Sequence, residues 1–148
     1  MQNSDANTRW AMAVNPNTPA MVLAELIDDS PPHILERIAE NPRTNAEALA
    51  RLAVCEWPSV RAAVADNANT PKDIVFLLMR DESVDVRYSI AENHNMPAEV
   101  LFALSEDDNP YVAMRASRTL ARIQGQNLLY GHFPQSEDEG EQLSQQSG

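Results

Sequence analysis

Apolar residues along this chain fall into triplets spaced i, i+1, i+4: Val22, Leu23, Leu26; Ala48, Leu49, Leu52; Ile74, Val75, Leu78; and Val100, Leu101, Leu104. Each triplet lies 26 residues beyond the last, and its spacing draws one apolar stripe along a helix. A second set keeps the same period: Ile34 and Ile38, Val60 and Val64, Val86 and Ile90, Val112 and Ala116. Beside it recur Ala13, Ala39, Ala65, Ala91 and Ser117, small residues that predict a column of close helix contacts. Two helices per unit, repeated without a gap, predict an all-α array in which each unit buries its stripe against its neighbours.

Polar residues punctuate the units at the same step. The first helix is expected to open at Thr18, Thr44, Thr70 or Met96, with the threonine hydroxyl as N-cap acceptor and Pro19, Pro71 and Pro97 at the first helical position. Glu47 and Asp73 stand at capping-box spacing, and the helix is expected to run to about Asp28, Val54, Arg80 or Glu106. A second, shorter helix, partly 3₁₀, follows Pro32, Pro58 and Pro110. It is expected to stop at Asn15, Asn41, Asn67 and Asn93, since asparagine tolerates the left-handed conformation.

The run Arg61-Ala62-Ala63-Val64-Ala65-Asp66-Asn67-Ala68-Asn69-Thr70-Pro71 resembles the core signature of the bacterial leucine-rich repeat variant proteins, a branch of the HEAT-like α-solenoids. The likeness extends over roughly Ser4 to Ile123. It implies a right-handed α-solenoid of about four to five 26-residue two-helix repeats. The Val-Arg pair of HEAT-like second helices stands at Val60-Arg61 and Val86-Arg87, in part at Thr8-Arg9, and is lost at Ile34-Leu35 and Val112-Ala113. One member type carries an iron–sulfur centre on an N-terminal cysteine cluster. This chain has only Cys55, so no cofactor is expected.

Composition narrows the function. The 148 residues are 43% hydrophobic, enough for one ordinary domain, and a lone cysteine fits a reduced, cytoplasmic setting. No apolar run approaches the roughly 20 residues of a membrane span. Net charge is −11, with four acids (Glu137, Asp138, Glu139, Glu141) in the last fourteen residues, which leaves about −7 on the rest. That field disfavours nucleic acid, whose binding rests on neutralising phosphates. His33, His94 and His132 occupy three different offsets and share no metal-ligand spacing, and no glycine-rich phosphate loop or recognisable nucleophile is present, so catalysis is not expected.

Function is therefore sought in columns. The outward side of the second helices presents Trp10, Glu36, Ala62, Tyr88 and Met114 at one offset, flanked by His33, Ser59, Asp85 and Tyr111, with Arg37 and Arg115 on the next row. Exposed aromatics beside charge favour protein recognition. The structural alternative has Trp10 closing the core and Tyr88 packing between helices. Phe76, Leu77 and Phe102 form a second apolar patch on the first helices. Acids gather in the turns (Asp28, Asp29, Glu56, Asp81, Glu82, Glu106, Asp107, Asp108) and suit helix N-termini, with Asp81 able to reach Arg87. Arg9, Arg61 and Arg87 are expected to bridge neighbouring units. The expected organisation is a repeat domain over 1–123, an apolar segment over 124–134 that caps the array or acts as a linear motif, and a disordered acidic tail over 135–148. Gly125 is expected to stop the last helix, and Arg115, Arg118 and Arg122 to cap the array. The expected function is a non-catalytic scaffold that binds a partner protein. A nucleic-acid-binding or nucleic-acid-modifying HEAT-like module and a self-assembling structural protein are the alternatives.

Overall fold

The structure, a computed structural model, describes residues 2–130. It is all-helical, with no strand among the described residues. The helices are α1 (Gln2–Val14), α2 (Ala20–Leu26), α3 (Pro32–Glu40), α4 (Ala46–Leu52), α5 (Pro58–Asp66), α6 (Lys72–Leu78), α7 (Val84–Glu92), α8 (Ala98–Leu104) and α9 (Pro110–Tyr130). Odd helices pack on one another in sequence, α1 on α3, α3 on α5, α5 on α7 and α7 on α9, and α9 also lies along α8.

The apolar columns form the core. Ile34, Ile38, Val60, Val64, Val86, Ile90, Val112 and Ala116 are all fully buried, and Leu23, Leu49, Leu52, Leu78 and Leu101 join them from the even helices. Each of the valines, leucines and isoleucines contributes about 1.5–3 kcal/mol of burial. Ala13, Ala39, Ala65 and Ala91 are buried where odd helices approach, whereas Ser117 turns outward and donates to the Ala113 carbonyl at 2.9 Å.

Helix lengths reverse the expected order. The first helices α2, α4, α6 and α8 have seven residues each, the second helices α3, α5 and α7 have nine and α9 has 21, all α, with no 3₁₀ segment among the described residues. The first helix is short because its last turn tightens to three-residue bonds, as in Arg80 N to Leu77 O, Asp81 N to Leu78 O and Asp107 N to Leu104 O.

The threonines face backward rather than forward. Thr18 Oγ1 donates to Met12 O at 2.7 Å, Thr44 to Ile38 O at 2.5 Å and Thr70 to Val64 O at 2.5 Å. Each donates to a carbonyl near the end of the preceding odd helix, and those of Ile38 and Val64 accept a backbone amide as well, from Asn41 and Asn67. The N-cap positions of α2, α6 and α8 are Pro19, Pro71 and Pro97, and only α4 has a side-chain cap among these four, Asn45 Oδ1 accepting from Ala48 N at 2.9 Å.

The asparagines are extended, not left-handed: Asn41 has φ −70° and ψ 129°, and no described residue has positive φ. Their side chains explain why. Asn41 Nδ2 donates to Ala13 O at 2.7 Å and Asn15 O at 3.0 Å, and Asn67 Nδ2 to Ala39 O at 2.7 Å and Asn41 O at 3.0 Å. Each Oδ1 accepts from the amide two residues on, at Asn17, Arg43, Asn69 and Asn95. One carboxamide thus shapes its own turn and ties down the helix end one unit back.

α9 does not stop at Gly125. It continues to Tyr130, because Gln124, Gln126 and Leu128 are good helix formers and one glycine costs only about 1 kcal/mol. The expected boundary at 123/124 therefore falls inside a helix. Residues 131–134 of the apolar segment and the acidic tail over 135–148 lie outside the described residues.

Candidate functional site

The predicted binding column lies on the odd helices, and the structure divides it. Trp10 on α1 is 49% exposed, Tyr88 on α7 37%, and Met114 and Tyr111 on α9 53% and 75%. Since α7 and α9 pack directly, Tyr88, Tyr111 and Met114 belong to one end of the odd-helix row. Trp10 is three packed helices from Tyr88, a distance of roughly 25–30 Å.

Between the two ends the surface is polar. Glu36, Ala62, Asp66, Ser89, Glu92 and Asn93 line an open hollow of about 440 Å³. Asp66 Oδ1 accepts from Asn93 Nδ2 at 2.8 Å, so this asparagine departs from the pattern set by Asn41 and Asn67. Arg37 is already paired, with Nη1 at 2.8 Å from Glu40 Oε2 and Nη2 at 3.4 Å from Glu36 Oε1. His33 and Asp85 are exposed on α3 and α7.

The arginine column and the acidic turns account for each other. Arg61 meets Asp81 through Nε–Oδ2 at 2.8 Å and Nη2–Oδ1 at 3.0 Å, and its Nη1 donates to Cys55 O at 2.7 Å. Arg87 repeats this with Asp107, at 2.9 and 3.3 Å, and with Asp81 O at 2.7 Å. Asp81 therefore pairs with Arg61, and Arg87 touches only its carbonyl. Hydrogen bonding to Asp81 holds the Arg61 guanidinium above arginine's ordinary pKa. Where Leu35 replaces the arginine, the position twenty residues on is Cys55 instead of an acid. Cys55 is half-buried against the core. Arg9 turns instead to Ser30, Nη1 to Oγ 3.3 Å.

The second patch lies on α6 and α8. Leu77 and Phe102 are 54% and 62% exposed, whereas Phe76 is half-buried against the core with Lys72 Nζ 5.9 Å from its ring centre. Met21 and Val54 are also exposed, outside either predicted patch.

One grouping was not foreseen as a site. Arg115, Arg118 and Arg122 on α9, with Thr119, face His94 of the α7–α8 loop around a cavity of about 100 Å³. Arg122 Nη1 lies 3.5 Å from His94 Nε2. The i, i+3, i+7 spacing of the arginines was the available signal. His94 was hidden because it stands 28 residues before Arg122, off the 26-residue column.

Among the described residues no group of three or more His, Cys, Asp or Glu could hold a metal ion, and no helix is long and apolar enough to cross a membrane. No family model, curated protein or solved structure matches this chain.

Proposed function

We propose that this chain is a non-catalytic α-solenoid of the leucine-rich repeat variant, HEAT-like kind, acting in the cytoplasm as a scaffold for a partner protein. The solenoid reading is supported by the asparagine contacts, which step back 26 and 28 residues from Asn41 and again from Asn67. The binding reading rests on one observation: Tyr88, Tyr111 and Met114 are exposed on two helices that pack side by side. Large side chains of this kind supply most of the free energy of protein interfaces. A surface built on helices tied end to end needs little ordering when it binds. The hollow beside it, with Glu36, Asp66 and Glu92, favours a partner segment carrying lysine or arginine.

The nucleic-acid reading is weaker. It needs Arg9, Arg37, Arg61, Arg87 and Arg115 free on one face, and carboxylates hold Arg37, Arg61 and Arg87.

The test is affinity capture with the wild-type chain, a Tyr88→Ala/Tyr111→Ala/Met114→Ala variant and a Trp10→Ala variant, each checked by circular dichroism. A protein retained by the wild type and Trp10→Ala, and lost from the triple variant, supports the α7–α9 surface. Equal capture by all three removes that surface from consideration. An eluate emptied by nuclease alone supports the nucleic-acid reading instead.

A further inference from the structure

We propose that α9 carries a binding site for a phosphate group, formed by Arg115, Arg118 and Arg122 with His94 of the α7–α8 loop. The site borders the partner surface proposed above, since His94 also lines the acidic hollow, but it does not rest on that reading. Its three arginines and one histidine line a cavity of about 100 Å³ together with Thr119. That space admits roughly three water-sized groups, the scale of a tetrahedral oxyanion rather than a large organic ligand.

Arg37, Arg51, Arg61, Arg87 and Lys72 each lie within salt-bridge distance of a carboxylate. Among the described residues no ion pair is formed by Arg115, Arg118 or Arg122, although the chain as a whole carries −11. Arg9, Arg43 and Arg80 also stand outside the ion pairs found among the described residues, but it is on α9 that three such arginines share one helix face. Three like charges along one helix face repel each other, and a doubly charged anion between them reverses that cost.

Arg115 adds an independent observation. Its Nε is buried and has no hydrogen-bond partner. Buried donors are almost always satisfied, so this one points to a missing acceptor. Guanidinium forks match the oxygens of a phosphate, and three of them offer more donors than a two-oxygen carboxylate uses. A polynucleotide would extend beyond so small a hollow onto an acidic surface. The chemistry selected is that of free phosphate or a small phosphate monoester.

The experiment is calorimetric titration of inorganic phosphate into the full chain at low ionic strength, with chloride at matched ionic strength as control. The companion variant is Arg118→Gln/Arg122→Gln, whose side chains are exposed and whose fold is checked by circular dichroism. The expected result is one saturable site in the wild type, with affinity about tenfold lower or worse in the variant. O-phosphoserine tests the source: tighter binding than phosphate selects a monoester, weaker binding selects the free ion, and both support the site. No saturable uptake, or equal affinity in the variant, overturns the proposal. Displacement of phosphate by a short oligonucleotide at matched charge also overturns it, in favour of a nucleic-acid track.

Discussion

Arg61 and Asp81 meet as a two-pronged ion pair twenty residues apart in sequence, with each side chain only 8% exposed. Asp81 Oδ1 also accepts from the Ser83 amide at 2.9 Å, so the carboxylate fixes the turn before α7 while the guanidinium anchors α5 to it.

Removing one partner leaves the other charge buried. Asp81→Ala should lower unfolding stability by about 3 kcal/mol. The chain contains its own apolar version of this junction, Leu35 with Cys55, so Arg61→Leu/Asp81→Cys should return to within about 1 kcal/mol of wild type. Urea denaturation of the three proteins checks both values, and a double variant as unstable as the single would refute the equivalence. Because the Arg61 pKa is raised, its contribution is complete below arginine's ordinary value and fades only as pH rises through the higher one. Stability should therefore show no loss from Arg61 at mildly alkaline pH.

The asparagines should differ in importance by burial and by what they reach. Asn41 is 3% exposed and satisfies two carbonyls of the preceding unit. Asn41→Ala should cost about 1–3 kcal/mol, because the Ala13 carbonyl loses this donor while Asn15 O keeps the Thr18 amide. Asn67→Ala should cost somewhat less, and Asn93→Ala under about 1 kcal/mol, since Asn93 donates to the exposed Asp66 carboxylate. Denaturation midpoints in that order support the ladder, and a flat series would contradict it.

Gly125 lies inside α9, has no positive φ, and a Cβ there would meet nothing within 4 Å. Gly125→Ala should stabilise the chain by about 0.5–1 kcal/mol, read as a higher melting temperature. No gain would mean that the helix frays before residue 125.

Exposed members of the proposed surfaces should be dispensable to the fold. Tyr111→Ala and Phe102→Ser should each change stability by less than about 0.5 kcal/mol. Sedimentation velocity of Leu77→Ser/Phe102→Ser against wild type tests whether the second patch joins copies of the chain. Identical, concentration-independent mass would leave that patch without a role in assembly.

The helical units and the core were legible because burial follows apolar period directly. Ile34, Val60, Val86 and Val112 could be placed from spacing alone. Polar side chains were harder, because a sequence offset does not give the direction of a hydrogen bond. Thr44 before a helix is equally compatible with capping forward and with donating backward. The turn between α3 and α4, closed by the Thr44 amide on Asn41 O, brings the hydroxyl to 2.5 Å from the Ile38 carbonyl. The same limit hid the Arg61–Asp81 pairing and the meeting of Arg122 with His94, both fixed by the offset between neighbouring units. Glycine misled for a different reason: Gly125 reads as a helix stop only where the chain must turn, and here it continues.

The reach of Asn41 and Asn67, back 26 and 28 residues, also constrains how the gene can change length. Duplicating or deleting the 26-residue block between Asn41 and Asn67 reproduces the same junction, with each of these carboxamides meeting carbonyls at the old offsets. An insertion of any other size within a helix breaks these contacts and rotates the apolar stripe off its neighbour. Variation in this chain's length is therefore quantised, and surviving relatives should differ by whole units or by loops between them.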